Sequence, residues 1–489
     1  MPEITARICG ICPVSHQLAA AKAADDVMDA DVPESAHALR ELMHMGQVLQ
    51  SHALSFFYLS SPDLVLGYDA DPAERNIEGV LEENPQLAER GIDLRRHHEV
   101  VSVDTDAETV TVEGPDGRTV QPYGNLLLAT GAHARSDRLD GTDLDGVFAM
   151  HSMDAAAACR AALDDPTDAA DAIDVPYVDE DRVAKYAAWE PPETVAVVGG
   201  GYVGVEMAEA FAERGRDTHL FHRHERPLPN FPAPAGDAAA AALREAGATL
   251  HLGTPVEELV GDDRVRGVRH ADGIFDADLA VVGVGIEPNA GLVSDTPVEL
   301  GDSGAIATDD YGETNRSGVF AAGDCAEDRH AVTGDPSWVP LGLTANRAGR
   351  AIGATVAGDP TPVGEVAGTA AVKAFDTECA RTGLFPEAAA EAGFDPVLET
   401  VTAGSRSGYY PGAADTTVTL VADRESERLL GGAIVGTDRA AVRIDTVATA
   451  IEGGLTVGAV ERLDLAYAPP FSPVWDPVLV AAKVLNGAL

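Results

Sequence analysis

Three groups of residues in this 489-residue chain are of types and spacings that could do chemistry. The first is Gly199-Gly200-Gly201-Tyr202-Val203-Gly204. It follows the apolar run Thr194-Val195-Ala196-Val197-Val198 and opens the helical stretch Val205–Phe211. Strand, G-x-G-x-x-G, helix is the context in which this pattern binds a dinucleotide. Gly199 allows the tight turn, Gly201 lets the backbone approach a pyrophosphate, and Gly204 lets the helix pack close to the strand. The helix start then offers unpaired N–H groups and a positive dipole end to the phosphates. A glycine-rich turn without a ligand is the bland alternative. The second group lies at the end of the next strand, Thr218-His219-Leu220-Phe221. An acidic residue about 20 positions past the glycines meets a free ribose 2′-OH, whereas Arg accommodates a 2′-phosphate. His222 and Arg223 hold that place and Arg226 is close behind, so NADPH is expected over NADH. Surface residues beyond the strand are the alternative. The third group is Cys9-x-x-Cys12, a spacing that can carry a lowered thiol pKa and act as a redox dithiol, with a relic or unliganded pair as the plainer reading.

The elements that position these groups can be read from periodicity. Strands alternating with helices over 193–290 imply a parallel sheet. Val100–Val103, Thr109–Val112 and Arg118–Val120 read as a three-stranded meander split by Asp- and Gly-rich turns. Leu126-Leu127-Leu128-Ala129-Thr130-Gly131 reads as a buried strand ending in glycine. Helical spacing runs through Ala36–Tyr58 and is broken at Ser61-Pro62-Asp63. A shorter helix is expected around Pro72–Leu81 and another running into Arg95. Residues 164–192 are acidic, contain proline and show no period, as a surface insertion would. Beyond about 362 strands and helices mix again.

Composition removes whole classes of partner. There are 34 Lys+Arg against 80 Asp+Glu, for a net charge of −46. The acid is spread along the chain, and Lys occurs only at 22, 185, 373 and 483. That is the pattern of a surface kept soluble in concentrated salt, where the self-repulsion is screened. With no basic face to neutralise phosphates, nucleic-acid binding is not expected. An anionic membrane surface is disfavoured for the same reason. No apolar run is long enough to span a bilayer and no signal-type segment opens the chain, so a cytoplasmic protein is expected. Five Cys, at 9, 12, 159, 325 and 379, are too scattered for a disulfide framework.

From about residue 97 onward the chain resembles the CoA-disulfide reductase / NADH oxidase branch of the FAD-dependent pyridine nucleotide-disulfide oxidoreductases. The residues that carry this are Leu128–Gly131, the glycine fingerprint above, Val282-Gly283-Val284-Gly285-Ile286-Glu287-Pro288-Asn289, and Gly318-Val319-Phe320-Ala321-Ala322-Gly323-Asp324-Cys325. Gly408-Tyr409-Tyr410-Pro411-Gly412 and Tyr467-Ala468-Pro469-Pro470-Phe471-Ser472-Pro473-Val474-Trp475-Asp476-Pro477 complete the match. The resemblance implies an enzyme passing hydride from a nicotinamide to FAD and on to a disulfide or another acceptor. It implies that Gly323 and Asp324 hold the flavin ribityl and phosphate, that Gly131 approaches the flavin closely, and that Gly285 lines the cofactor region. A helix beginning near Thr344 would point its amino end at the flavin ring. Glu206 and Tyr202 would lie near the nicotinamide. Tyr409, Tyr410 and Tyr467 would reach a partner subunit's active site in a homodimer, with packing as the plainer role for each.

Residues 1–96 contain neither a first G-x-G-x-x-G nor the active-site Cys that this family carries. They resemble instead the start of a nickel-iron hydrogenase large subunit, on Arg7-Ile8-Cys9-Gly10-Ile11-Cys12-Pro13-Val14-Ser15-His16, His44-Met45-Gly46-Gln47 and Ser51–Phe57, and Asn84–Ala88. In that family Cys9 and Cys12 would supply two of four thiolates to the metals, and soft thiolates suit nickel and iron. The other two would come from a carboxyl-terminal D-P-C-x-x-C, which this sequence does not contain. The expected architecture is α/β. It comprises a mainly helical segment (1–96), an incomplete Rossmann-type FAD part (97–163 and 291–361), the acidic insertion (164–192), a complete NAD(P) domain (193–290) and an α+β dimerisation domain (362–489). The alternatives to an oxidoreductase are a non-catalytic nucleotide-binding remnant or a hydrogenase-associated reductase subunit.

Overall fold

β-Branched side chains lose rotamer freedom in a helix and pack well on a pleated surface. Val195, Val197 and Val198 accordingly form a strand with almost no exposed surface. The computed structural model describes residues 93–163 and 179–489. It divides into two compact units, Met1–Leu94 with Ala156–Pro191 and Arg95–Ala155 with Pro192–Leu489. The helices expected within 36–92 lie outside the described residues. Residues 93–95 are not helical, against the expectation of a helix running into Arg95. A turn there places His97 at φ 57° and leads straight into a strand.

In the larger unit, β1 (Glu99–Asp104), β2 (Thr109–Gly114) and β3 (Gly117–Pro122) form the antiparallel meander. β4 (Leu126–Leu128), β5 (Ala132–Ala134) and β6 (Val147–Ala149) follow. β4 is shorter than expected and only Leu128 is buried on it, Leu127 being exposed. Among the described residues it has one neighbouring strand. Helix α1 (Met153–Leu163) then crosses into the other unit. Within that unit α2 (Glu180–Ala187) is a helix where no element was expected. Asp179 caps it by accepting from the Arg182 N–H at 3.0 Å, and Val183 and Tyr186 are its only buried side chains. Two buried positions in eight give too short a stripe to register as a period.

β7 (Thr194–Val198), α3 (Tyr202–Glu213), β8 (Asp217–His222), α4 (Ala233–Glu245) and β9 (Thr249–Leu252) alternate as the pattern predicts. β10 (Val256–Gly261), β11 (Val265–His270) and β12 (Gly273–Asp276) make an antiparallel layer. β13 (Leu279–Val282) then re-enters the main sheet, whose order is β6-β13-β7-β8-β9, all parallel. Ala196, Val198, Phe221, Leu259, Val268 and Ala280 seal the two layers together. β14 (Ile286–Pro288) pairs with β5, and β15 (Val319–Ala321) pairs in parallel with β4. After the short pair β16 (Asp328–Arg329) and β17 (Pro336–Ser337), α5 (Gly342–Val356) packs beside residues 323–325.

The last part is one antiparallel sheet with helices. Its strands are β18 (Ala370–Ala374), β19 (Thr377–Gly383), β20 (Pro396–Gly404), β21 (Asp415–Asp423) and β22 (Leu429–Gly436). Helix α6 (Pro386–Glu391) sits between β19 and β20; α7 (Ala440–Glu452), α8 (Val457–Val460) and α9 (Pro477–Ala488) follow β22. The order is β18-β19-β22-β21-β20. Leu420, Leu429 and Leu430 on the sheet meet Val447 and Ile451 of α7 and Leu485 of α9, all fully buried. Each such side chain contributes roughly 1.5–3 kcal/mol relative to exposure. No described helix is long and apolar enough to cross a membrane.

Candidate functional site

The glycine loop is shaped as its spacing requires. Gly199 has φ 110°, and a Cβ there would lie 2.2 Å from the Gly283 carbonyl oxygen. A Cβ on Gly204 would lie 1.7 Å from the Gly199 carbonyl oxygen, so α3 touches the turn through bare backbone. Gly201 differs from both. It caps the amino end of α3 without a side-chain hydrogen bond, and a Cβ on it would meet nothing within 4 Å. The first N–H groups of α3 therefore face open space beside a residue with no side chain, the geometry that receives a phosphate. Tyr202 packs edge-on against Phe231, with ring centroids 5.6 Å apart.

His222 sits at the end of β8 as the sequence places it, but its charge is not what the basic cluster suggests. The Gly200 N–H donates to its Nδ1 at 3.0 Å, which leaves the ring proton on Nε2. Burial, then His224 and Arg223, push its pKa down to about 4. The imidazole is thus neutral at pH 7 and serves first as a strut holding the glycine loop. Its buried Nε2 has no hydrogen-bond partner among the described residues. Arg226 is engaged with Asp237 at 2.6 Å, and Glu225, exposed, flanks the same turn. Arg223 is exposed and, among the described residues, forms no ion pair; its Nε donates to His224 Nε2 at 3.1 Å.

Glu206 lies one turn into α3. Its surface is open to water, but the protein mass around it and the Glu209 carboxylate push its pKa up to about 7, with Lys373 pulling the other way. Lys373, on β18, forms an ion pair with buried Glu209. Nothing in the sequence signals this pair, because its two halves are 164 positions apart.

A second group of candidate residues follows the carboxyl ends of the parallel pair β4 and β15, where parallel strands place their ligands. Gly131 (φ 68°) and Gly285 (φ 113°) come from distant motifs and sit at opposite ends of the β5–β14 pair, Gly131 beside Asn289 and Gly285 beside Arg135. Asn289 ties β14 to the turn after β4: its Nδ2 donates to the Thr130 carbonyl at 2.8 Å, its N–H donates to the Gly131 carbonyl at 2.9 Å, and its own carbonyl accepts from Thr130 Oγ1 at 2.6 Å. A Cβ on Gly131 would meet nothing within 4 Å, whereas one on Gly323 (φ 77°) would come within 3.2 Å of Ala345 at the start of α5. Asp324 is half-buried, and burial raises its carboxyl above the usual range despite His151 nearby. The Trp338 indole N–H donates to the Asp324 carbonyl at 2.8 Å. The start of α5, two residues ahead of Thr344, has no side-chain cap. An open glycine, a carboxylate and an uncapped helix start together fit the ribityl and phosphate end of a flavin.

The family model described as pyridine nucleotide-disulphide oxidoreductase matches residues 19–349, and that family's dimerisation domain matches residues 369–477. The chain belongs to the pyridine nucleotide-disulphide oxidoreductases. Enzymes of this family are FAD- and NAD(P)H-dependent oxidoreductases. The chain is 36% identical over 429 residues to an NAD(P)H coenzyme A polysulfide/persulfide reductase of Pyrococcus horikoshii, spanning 88% of this chain and 87% of that one. It is 28% identical to a coenzyme A disulfide reductase of Staphylococcus aureus over 78% of this chain and 80% of the other. A solved NAD-dependent persulfide reductase from A. fulgidus superposes with a TM-score of 0.78 at 28% identity, covering 88% of this chain and 76% of its own. The matched span begins at residue 19, inside the segment that resembles a hydrogenase subunit, and no comparison supports a hydrogenase fragment there. Cys9 and Cys12 lie outside the described residues. Among the described cysteines, Cys159, Cys325 and Cys379 are all buried, and burial pushes Cys379 up to about 12. None of the three presents an accessible thiolate. Tyr409 and Tyr467 are 82% and 62% exposed on the single chain, and Tyr410 is also exposed.

Proposed function

We propose that this chain is an NADPH-using flavoenzyme that reduces a small disulfide of the coenzyme A disulfide or persulfide class, acting as a homodimer. The observation that carries this reading is the bare Gly201 at the uncapped start of α3, with a second uncapped helix start, that of α5, packed beside Gly323 and Asp324. The uncapped start of α3 binds the nucleotide pyrophosphate. His222 holds the glycine loop through its Nδ1, and Arg223 supplies the charge that a 2′-phosphate requires. Glu206 holds or releases a proton near pH 7 beside the nicotinamide. Asp324 accepts from a ribityl hydroxyl, and the start of α5 favours negative charge at the ring. When bound, FAD would supply the electron relay between nicotinamide and disulfide. Tyr409 and Tyr467 would offer O–H donors to a second copy's acceptor site.

The flavin absorbance of purified protein, followed by NADPH oxidation with coenzyme A disulfide, tests this directly. Bound flavin with disulfide-dependent turnover is expected; flavin-free protein that still binds NADPH would leave a nucleotide-binding remnant. That second reading is favoured by two observations. Residues 1–96 hold no G-x-G-x-x-G for the ADP half of FAD, and every described cysteine is buried. Metal held by Cys9 and Cys12 is a third reading, which nickel or iron in stoichiometric amount would support and metal-free protein would remove.

Arg223→Ala gives the cofactor preference its own test. NADPH affinity should fall about tenfold or more, the worth of a hydrogen bond to a charged group, with NADH affinity unchanged. Equal losses for both cofactors in a fluorescence titration would remove the 2′-phosphate role.

A further inference from the structure

Arg443, in the first turn of α7, is nine-tenths buried and holds three chain segments at once. Its Nε donates to Asp476 Oδ2 at 3.1 Å. Its Nη1 donates to the Asp438 and Arg439 carbonyls at 3.1 and 3.2 Å. Its Nη2 donates to the Ser405 and Phe471 carbonyls at 2.5 and 3.2 Å. A guanidinium has five N–H donors in a planar fork, so every one of them is committed. The acceptors are locked in turn. Asp476 also accepts from Ser472 Oγ and from the Val478 N–H, both at 2.9 Å. Asp438 accepts from Ser405 Oγ at 2.6 Å and pairs with Arg406 through both its oxygens. Arg439, at φ 59°, lays its guanidinium over the Phe471 ring at 5.1 Å. A left-handed non-glycine persists only where its surroundings hold it.

Segments 405–414 and 467–476 are thus joined from below by hydrogen bonds, while their outer side chains stand clear. Tyr409, Tyr467, Phe471 and Trp475 are all exposed. The dimerisation-domain match covers both segments, so the body they face is a second copy of this chain. We propose that Arg443 is the positioning residue that fixes these two segments as one rigid unit, setting where Tyr409 and Tyr467 enter the acceptor site of that second copy. The tyrosine half of this rests on the function proposed above; the joint itself does not. Lysine carries one point charge and three donors and cannot reproduce a planar five-fold contact.

Full-length Arg443→Lys and Arg443→Met proteins test it by backbone hydrogen exchange and by two activities. Coenzyme A disulfide is the acceptor that needs the tyrosines, and ferricyanide is one that does not. Peptides covering 405–414 and 467–476 should exchange at least tenfold faster together, less so for Lys, with 429–436 unchanged. Disulfide turnover should fall at least tenfold and ferricyanide turnover stay within twofold. Adding Arg443→Met to a Tyr409→Phe/Tyr467→Phe protein should cost nothing more. Segments that stay protected, or loosen singly, overturn the proposal, as do two activities that fall in proportion. Joint loosening beside a fully active Tyr409→Phe/Tyr467→Phe protein upholds the joint and overturns the tyrosine role.

Discussion

Gly201→Val should leave the protein folded and weaken NADPH binding by about a hundredfold or more, roughly 3 kcal/mol, whereas Gly204→Ala should damage the fold itself. The two glycines are three positions apart in one motif, and sequence alone gives them the same weight. Geometry separates them. A side chain on Gly201 enters space that no protein atom occupies, so nothing in the chain resists it. The same side chain fills the volume that a pyrophosphate needs above the first N–H groups of α3. A methyl on Gly204 meets the Gly199 carbonyl oxygen at 1.7 Å. Neither backbone can yield cheaply, because Gly199 is itself pressed on the Gly283 carbonyl. Overpacking of this kind costs about 2 kcal/mol or more. Thermal unfolding and a nucleotide titration on the two variants decide the matter. A Gly201→Val protein that binds NADPH normally would remove the dinucleotide site.

What could be read in the sequence was what local patterning fixes. The valine run, the glycine spacing and the alternation after residue 193 each belong to short stretches of chain, and each appears as an element of the expected type. The meander over 99–122 was equally legible, since its period is two and its turns carry Asp and Gly. Helix α2 was not, because two buried positions make no period. The strand beginning at Leu126 looked buried because three leucines stand together, yet strand pairing rather than composition decides what is covered. The site followed the same rule. Gly131 and Asn289 were each marked within a motif, but the bonds that tie Asn289 to Thr130, 159 positions away, and to Gly131 are a tertiary fact. His222 stands in a basic run of sequence, but burial first, then His224 and Arg223, keep it neutral, and the Gly200 N–H fixes its proton on Nε2. Lys373, Arg443 and their partners left no signal, since an ion pair between distant segments has no spacing to recognise.

The neutrality of His222 has a measurable consequence in pH. Its folded pKa is about 4, against 6.5 for a free imidazole. The folded state therefore binds fewer protons than the unfolded chain between those values, and stability must rise with pH across that window. The gain is complete above pH 6.5 and lost progressively as pH falls to about 4. Two and a half units correspond to about 3 kcal/mol at most. Wild-type stability alone would hide the effect. Glu206 and Asp328 are raised to about 7 and about 6, so each favours the folded state on acidification through part of the same range. The comparison with His222→Asn removes them, because both proteins share those carboxyls. Asn can still accept from the Gly200 N–H through its Oδ1, so the loop keeps its strut but loses its titration. Denaturant unfolding of the pair should show wild type gaining on the variant by up to about 3 kcal/mol from pH 4 to 6.5, with no change above pH 7. A difference that is flat through that window would mean that folding leaves the ring at the ordinary 6.5, so that the cluster at the end of β8 would carry a second positive charge for the 2′-phosphate only below that pH.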